Sequence, residues 1–218
     1  MSLVLFDLDN TLLAGDSDHS WGEFLVEHKL VDADQYRQRN DEFYHAYKQG
    51  QLDIMEYLEF AVEPLTRFKA TELSDLHQTF MSEKIEPIRL PKAEALIEKH
   101  RNAGDELAII TATNRFITEP IASLFGIEHL MATELEKNHN GYTGKIIDEP
   151  CYQHGKLTHL EKWLSQQPFD LKDSYFYSDS FNDLPLLSKV THPIAVDPDP
   201  TLEAHAKQKG WQILSLRD

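Results

Sequence analysis

The chain has 218 residues, of which 21 are basic and 37 acidic, so its formal net charge is −16 at pH 7. Its 41% hydrophobic and 27% charged residues are ordinary for a globular protein, which excludes a wholly disordered chain. The acidic balance argues against nucleic-acid binding, since neutralising phosphates requires clustered Lys and Arg. The same field would repel a phosphorylated ligand unless a local lysine or a bound divalent cation supplied the attraction.

Neither a membrane segment nor a targeting segment is predicted. No apolar run approaches the roughly 18 residues that a membrane-spanning helix needs. The N-terminus has no basic stretch and reaches Asp7 too early for a signal peptide. The single cysteine, Cys151, excludes a disulfide framework and fits a reducing compartment. We therefore expect a cytoplasmic protein without a membrane partner, and its oligomeric state is left open.

The first half of the chain predicts one strand followed by a helical segment. The apolar run 3–6 ends at Asp7 and reads as a buried parallel strand, although one short run does not exclude a helix. Apolar and aromatic residues recur at helical spacing from residue 17 to 84, with Gly50 as a break and Asp53 as a cap for a third of four helices. We expect Phe43 and the tyrosines of the second helix to form the interior of this segment.

After Pro87, strands and helices alternate. Short apolar runs at 107–110, 174–177 and 193–196 predict strands, and the first of these is expected to end at Thr111. Helices are predicted from Pro91, around Ile117 and from Gly155. Asn140-Gly141 predicts a hairpin. The alternation predicts an α/β fold, a Rossmann-like doubly wound parallel sheet with helices on both faces.

The first strand must join this sheet, because alone its backbone would be unpaired. The helical segment is then an insertion between the first and second strands. The predicted organisation is a catalytic core formed by residues 1–16 and 85–218, with an inserted all-helical cap formed by residues 17–84.

Polar side chains are predicted to meet where the strands end. In open α/β sheets, ligands bind at the carboxyl ends of the strands. Asp7, Thr111 and Asp179 each lie at such an end, and Lys156 begins a helix where it and the helix dipole can face an anion. Two acidic groups, a hydroxyl and a lysine are therefore expected at one sheet edge.

This set of residues suits phosphoryl transfer. Asp7 and Asp9 lie two apart at a strand end, and Asp179 and Asp183 lie four apart across a strand-to-helix turn. Carboxylates gathered this densely repel each other, and a hard cation such as Mg²⁺ offsets the repulsion. The cation and a lysine could then hold a phosphate dianion, and a carboxylate can attack phosphorus to form an aspartyl-phosphate.

These residues resemble the motifs of a known family. Residues 7–12, DLDNTL, resemble the D-x-D-x-T signature of the haloacid dehalogenase superfamily. Thr111 resembles its second motif, Lys156 its third, and residues 178–183, SDSFND, its fourth. All four occur in order, and the insertion at 17–84 resembles the helical cap of the subgroup that includes phosphoserine phosphatases and histidinol-phosphate phosphatases.

The resemblance implies roles for four aspartates. Asp7 would attack phosphorus and bind Mg²⁺. Asp9 would protonate the leaving alkoxide and then activate water, while its main-chain carbonyl binds the metal. Asp179 would complete the metal site, and Asp183 would support that site from behind.

The resemblance also implies a phosphate-binding set. Thr111 and Lys156 would bind the phosphoryl oxygens, and Lys156 would thereby take part in catalysis. The main-chain N–H of Ala112 and the side chain of Asn182 would assist them. The expected partner is a small phosphorylated metabolite.

Two departures from the phosphoserine phosphatase pattern bear on the substrate. Asp16 occupies the position of a Glu that contacts the substrate amine, and the shorter side chain leaves space for a bulkier amino alcohol phosphate. Asp16 could equally cap the helix that starts near Ser17. The second motif reads TATN at 111–114 rather than Ser-Gly-Gly. Both favour histidinol phosphate as the substrate over phosphoserine or another small amino-alcohol or sugar phosphate. Hydrolysis of histidinol phosphate is a reaction of amino-acid biosynthesis.

Three other classes of protein are alternatives to a phosphatase. A phospho-accepting signalling module also gathers aspartates, a Thr and a Lys around Mg²⁺, but it places the accepting Asp on a later strand and carries no cap. A kinase or NTPase would need a G-x-x-x-x-G-K-[ST] run, which this sequence lacks. A phosphotransferase or dehalogenase of the same superfamily stays possible, although a dehalogenase has no need of Asp9.

Overall fold

The computed structural model describes residues 1–217. The strands are β1 (Leu3–Phe6), β2 (Glu106–Asn114), β3 (His129–Asn138), β4 (Gly141–Ile147), β5 (Tyr175–Ser178), β6 (His192–Val196) and β7 (Gln212–Leu214). The helices are α1 (Ser17–Glu27), α2 (Ala33–Lys48), α3 (Ile54–Val62), α4 (Ala70–Phe80), α5 (Pro91–Asn102), α6 (Arg115–Leu124), α7 (His154–Leu164), α8 (Leu184–Leu187) and α9 (Pro200–Lys209). No helix in residues 1–217 is long and apolar enough to cross a membrane.

The strands of this part of the chain form one sheet in the order β4-β3-β2-β1-β5-β6-β7. Neighbouring strands run parallel, except that β3 and β4 form the antiparallel hairpin predicted from Asn140-Gly141. The first strand is central, between β2 and β5, so its carboxyl end lies at the middle of the sheet edge. The predicted α/β class with a doubly wound sheet is confirmed.

The central strands are buried on both faces because their side chains alternate between two hydrophobic clusters. In β1, Val4 and Phe6 belong to one cluster, whereas Leu3 and Leu5 belong to the other. Helices α1, α4, α5 and α6 cover the first face, and α7, α8 and α9 cover the second. A strand with apolar residues at every position needs this double cover.

An all-helical segment lies between β1 and β2, as predicted. Trp21 and Phe24 of α1 and Phe80 of α4 pack in the same hydrophobic cluster as Phe6 of the central strand. The segment is therefore anchored on the sheet through a shared core. The division into a core of 1–16 and 85–218 and a cap of 17–84 stays a prediction.

Strand β2 differs from its prediction. It was expected to end at Thr111, but it continues to Asn114. Its pairing with β3 shifts register between Ile110, opposite Met131, and Asn114, opposite Thr133. Residues 111–113 therefore bulge out of the ladder, which a pattern of apolar residues does not reveal. Helix α9 and the short strand β7 were not predicted either.

A tight turn precedes α7 and fixes where that helix starts. Gln153 has a φ of +48°, and the N–H of Gly155 donates to the carbonyl of Tyr152 at 2.8 Å. A Cβ added to Gly155 would lie 2.0 Å from the main-chain oxygen of Pro150. The turn therefore requires glycine immediately before Lys156.

We expect Gly155→Ala to lower the free energy of unfolding by about 3 kcal/mol or more, because the new methyl group would collide with main-chain atoms. The matched control is Gly210→Ala at the C-terminus of α9. There φ is +69° but an added Cβ meets nothing within 4 Å, so the loss should be only about 1 kcal/mol of left-handed strain. Urea unfolding of both variants measures the difference, and equal losses would contradict the steric reason.

Candidate active site

Asp7 lies at the carboxyl end of β1 and forms an ion pair with Lys156. The Asp7 N–H donates to the carbonyl of Tyr177 at 2.9 Å, which extends the pairing of β1 with β5. The Nζ of Lys156 lies 2.8 Å from Asp7 Oδ1 and 2.7 Å from a carboxylate oxygen of Asp183. Ser178 donates its hydroxyl to Asp183 at 2.7 Å. Asp7 and Lys156 therefore lie together at one sheet edge, as predicted from the sequence.

Burial and these partners set the charges of the pair. The exposed fractions of Asp7 and Lys156 are 4% and 3%. Burial would lower the pKa of Lys156, but the carboxylates of Asp183 and Asp7 outweigh it and raise that pKa, so the ammonium stays charged. Burial raises the pKa of Asp7 to about 7, although the Lys156 ammonium opposes the rise.

Asp9 is held by two hydrogen bonds. The N–H of Ser17, the first residue of α1, donates to its Oδ1 at 2.6 Å, and the Thr113 hydroxyl donates to its Oδ2 at 2.8 Å. Burial and the neighbouring charge of Asp16 raise the pKa of Asp9 to about 7. A carboxyl group that titrates near neutrality can both give and take a proton, which is what a general acid-base group needs.

The bulge in β2 brings three consecutive residues to the same cavity. Thr111, Ala112 and Thr113 all line it. The Thr133 hydroxyl donates to the Ala112 carbonyl at 2.8 Å and accepts from the N–H of Cys151 at 3.1 Å, which ties the bulge to β3 and to the turn before α7. A Thr shortly before a helix can cap it, but the residue that caps α6 is Asn114. The Thr111 side chain is therefore not used as a helix cap.

Asp179 follows β5 and lies beside the first strand's acidic loop. The Thr11 hydroxyl donates to Asp179 Oδ1 at 3.2 Å and accepts from the Asp179 N–H at 3.0 Å. Burial and the charges of Asp7 and Asp183 raise the pKa of Asp179 well above its usual range. In residues 1–217, no Lys or Arg forms an ion pair with Asp179, because Lys156 pairs with Asp7 and Asp183.

The donor chemistry at Asp7 and Asp179 suits a hard divalent cation. Asp7 is buried and Asp179 is partly buried. Their two carboxylates carry more negative charge than Lys156 offsets, and oxygen ligands are what Mg²⁺ prefers. No three His, Cys, Asp or Glu side chains of residues 1–217 could hold a metal ion by themselves. The predicted set of two carboxylates with the main-chain carbonyl of Asp9 does not require three, and it stays a prediction.

Asn182 has partners other than the one predicted for it. Its Oδ1 accepts from the Tyr152 hydroxyl at 3.1 Å and from Gln153 at 2.9 Å. Its Nδ2 donates to the Tyr47 carbonyl at 3.3 Å and to the Ser180 hydroxyl at 3.2 Å. Asn182 thus joins α2 to the core behind the site and does not line the cavity. Its role in phosphate binding stays a prediction.

The cavity lies between the sheet edge and the helical segment. Its wall is acidic and aromatic, and none of the lining residues is Lys or Arg. Phe43 and the tyrosines of α2 were expected to form the interior of the segment; Phe43 is buried, but it, Tyr44 and Tyr47 also line this cavity. The lining residues are Asp7, Asp9, Asp16, Asp18, His19, Asn40, Phe43, Tyr44, Tyr47, Leu52, Ile54, Tyr57, Thr111, Ala112, Thr113 and Tyr152.

Asp16 caps α1, as the sequence allowed, and it also lines the cavity; its contact with a substrate amine stays a prediction. Its Oδ1 accepts from the N–H groups of Asp18 at 3.0 Å and His19 at 2.9 Å, so it caps α1. It also lines the cavity beside Asp9. One carboxylate oxygen is used for the cap, which leaves the other for a ligand.

Several supporting residues were not assigned a role from the sequence. Thr11, Thr113, Thr133 and Ser178 each hold a site residue through a side-chain hydroxyl. For Thr11 and Ser178 the signal was present, since both lie within the recognised motifs. Thr113 and Thr133 carry no signal of their own, because their hydrogen bonds depend on the bulge.

The arrangement supplies the parts for an acyl or phosphoryl transfer. Asp7 is a buried carboxylate whose Oδ1 bonds the Lys156 ammonium, and it can act as a nucleophile. Asp9 lies on the same cavity wall and can exchange a proton near neutral pH. Asp7 is buried and Asp9 is partly buried, and this limited contact with water strengthens the electrostatic interactions around both groups.

Comparisons with known proteins agree with this arrangement. The model of the haloacid dehalogenase-like hydrolase family matches residues 4–188. A histidinol-phosphatase from Neisseria meningitidis serogroup C (strain 8013) is 44% identical over 220 aligned residues, which cover 99% of each chain.

Two solved structures are similar as well. A protein of unknown function from Bordetella pertussis Tohama I has a TM-score of 0.93 and 41% identity, with 99% of each chain covered. A substrate-bound phosphoserine phosphatase complex has a TM-score of 0.72, with 99% of this chain and 93% of the other covered, and at 18% identity it supports the fold alone. With its four motif positions on one sheet edge, the chain belongs to the haloacid dehalogenase-like hydrolase family and is a phosphatase-type enzyme.

Proposed function

We propose that this protein is a Mg²⁺-dependent phosphomonoesterase that hydrolyses histidinol phosphate to histidinol through an aspartyl-phosphate. The observation that carries the proposal is the pairing of two differently held carboxyl groups at one cavity. Asp7 bonds Lys156, whereas Asp9 bonds the Thr113 hydroxyl and has a pKa near neutrality.

In the first step, a carboxylate oxygen of Asp7 attacks phosphorus and the bond from phosphorus to the ester oxygen breaks. The leaving oxygen takes the proton of Asp9, so the alcohol departs neutral. Lys156 keeps its positive charge throughout and stabilises the negative charge that develops on the phosphoryl oxygens. Thr111 and the Ala112 N–H are proposed to bind the same oxygens.

In the second step, water attacks phosphorus and breaks its bond to the Asp7 oxygen. Asp9, now a carboxylate, takes a proton from that water, and inorganic phosphate leaves. Both carboxyl groups return to their starting state. The helical segment limits access of bulk water to the cavity during both steps.

The net charge of −16 and the acidic cavity would both repel a phosphate dianion. The residues proposed to hold Mg²⁺ are Asp7, Asp179 and the main-chain carbonyl of Asp9, with Asp183 supporting them through Lys156. When bound, Mg²⁺ would offset the charge of the phosphoryl group and of its carboxylate ligands.

The acidic cavity wall favours a substrate that carries a positively charged group in addition to its phosphate. An amino alcohol phosphate presents an ammonium group near the ester, which Asp16 can bind. Phosphoserine would also bring a carboxylate, and the wall offers no Lys or Arg to pair with it. Arg39 of α2 is not available to a substrate carboxylate, because it pairs with Glu42 and Glu56. The name of the Neisseria relative supports histidinol phosphate as the substrate.

We expect Asp7→Asn to lower phosphate release by at least about 10³-fold without unfolding the protein, since the amide is not a nucleophile. The assay measures inorganic phosphate from histidinol phosphate, phosphoserine and sugar phosphates, with Mg²⁺ and after chelation. Activity within tenfold of the wild type would remove Asp7 as the nucleophile. A wild-type protein that traps one phosphoryl group and releases none would be a signalling module.

We expect Thr113→Val to lower kcat on histidinol phosphate roughly tenfold, because Asp9 loses the hydroxyl that orients it. The loss on p-nitrophenyl phosphate should be smaller, since its leaving oxygen is stable without a proton. The control is Thr201→Val, the same change at an exposed position. If both substrates lost activity to the same extent, the hydroxyl would not be acting through the acid.

We expect Asp16→Ala to lower kcat/KM on histidinol phosphate about 10- to 100-fold, as a charge-assisted bond to the ammonium is lost. Asp53→Ala is the matched control, since Asp53 caps α3 through the same pair of main-chain bonds and lies outside the cavity. Both variants should lose about 1 kcal/mol of stability. Equal losses on histidinol phosphate and p-nitrophenyl phosphate would take Asp16 out of substrate binding.

A further inference from the structure

Asp18 is a second carboxylate of the cavity wall to which the reaction outlined above gives no role. Its exposed fraction is 8%, so the group is more than nine-tenths buried, and it lines the cavity. In the described part of the chain no Lys, Arg or His forms an ion pair with it. Tyr57 of α3 lines the same cavity, and its hydroxyl lowers the pKa of Asp18 against the effect of burial.

Asp16 and Asp18 stand on the same cavity wall as the rings of Phe43 and Tyr57. The charge that acts most on Asp18 is that of Asp16, and Asp9 acts on it less. The charge of Asp16 also acts on Asp9, the proposed acid-base group. Asp18 therefore belongs to the acidic part of this wall.

Tyr57 is well suited to hold Asp18 in place. Burial and the charge of Asp18 raise the pKa of Tyr57 well above its usual range, so the phenol keeps its proton and can donate it. Phe43 packs edge-on against Tyr57, with ring centroids 5.3 Å apart. Aromatic faces next to a buried carboxylate form a place for a flat ring that bears an N–H or a positive charge.

We propose that Asp18, next to Tyr57 in the cavity wall, binds the ring nitrogen of an amino alcohol phosphate and excludes substrates that carry a carboxylate there. The inference rests on the proposed phosphatase function and adds the residue that selects the third substituent. In histidinol phosphate that substituent is an imidazolylmethyl group. In phosphoserine it is a carboxylate, which would face Asp18 in a wall that offers no Lys or Arg to pair with it.

Burial adds to this selection. Burial and the charge of Asp16 raise the pKa of Asp18 to about 8, which shows that the cavity supplies little that stabilises its charged form. An imidazole, whose own pKa is about 6.5 in water, would share a proton with this carboxylate and stabilise it. A substrate carboxylate would make the same position less favourable still.

The test compares kcat/KM of the wild type and Asp18→Asn for three substrates. Histidinol phosphate carries the ring, phosphoserine carries the carboxylate, and 2-aminoethyl phosphate has neither. We expect the ratio of histidinol phosphate to 2-aminoethyl phosphate to fall at least about 30-fold, mainly through KM. The ratio of phosphoserine to 2-aminoethyl phosphate should rise, because the substrate carboxylate no longer faces a carboxyl group whose charged form it disfavours. Tyr57→Phe should shift both ratios the same way by less.

Asp34→Asn is the matched control. Asp34 occupies the second position of α2, as Asp18 does in α1, but it is exposed and outside the cavity. It should leave both ratios unchanged. Unchanged ratios in Asp18→Asn, or equal losses on all three substrates, would overturn the inference.

Binding of L-histidinol, which needs no turnover, separates the two proposals. Calorimetry should show at least about 30-fold weaker binding to Asp18→Asn than to the wild type. A wild type that hydrolyses 2-aminoethyl phosphate but not histidinol phosphate would contradict the substrate proposal. A wild type that hydrolyses phosphoserine better than 2-aminoethyl phosphate would overturn the role of Asp18 while leaving the phosphatase chemistry intact.

Discussion

The ion cluster of Lys156 with Asp7 and Asp183 is the interaction on which the site depends. It joins the ends of β1 and β5 to the start of α7, across 149 residues between Asp7 and Lys156. Removing one partner from a buried ion cluster leaves an uncompensated charge, which costs about 3–5 kcal/mol. The turn before α7 must therefore place the Lys156 ammonium within reach of both carboxylates. Gly155 makes this possible, because any side chain at that position would collide with the main-chain oxygen of Pro150.

A second constraint is the bulge in β2. Because residues 111–113 leave the ladder, three consecutive residues reach one cavity instead of alternating between two faces of the sheet. Thr133 holds the bulge from the neighbouring strand, and Thr113 holds Asp9. Asp9, the proposed acid-base group, is thus positioned by a departure from regular strand geometry.

The charges of the cavity explain how one site can take a dianion and still choose among small molecules. At the sheet edge, Lys156 and the proposed Mg²⁺ would offset the phosphoryl charge. Asp16 and Asp18 line the cavity, whose wall holds no Lys or Arg, so positive charge is favoured beside them. A zwitterionic amino alcohol phosphate, the proposed class of substrate, would match both the proposed phosphate site and this acidic wall.

The sequence by itself determined the alternation of strands and helices, the helical insertion after β1 and the meeting of Asp7, Lys156 and Asp179 at one edge. These follow from local periodicity and from the rule that parallel strands end on the same side. The cap at Asp16 could also be foreseen, since a short carboxylate just before a helix bonds the first main-chain N–H groups.

Only the tertiary structure decided the length of β2, the partners of Asn182, the cavity-facing side of the cap aromatics and the burial of Asp18. Each depends on contacts between residues far apart in the chain, such as the bond between Asp9 and Thr113, 104 residues away. Helical spacing says that Phe43 and Tyr47 share a face, but not whether that face meets other helices or a cavity. That choice is made by the packing of the whole segment on the sheet.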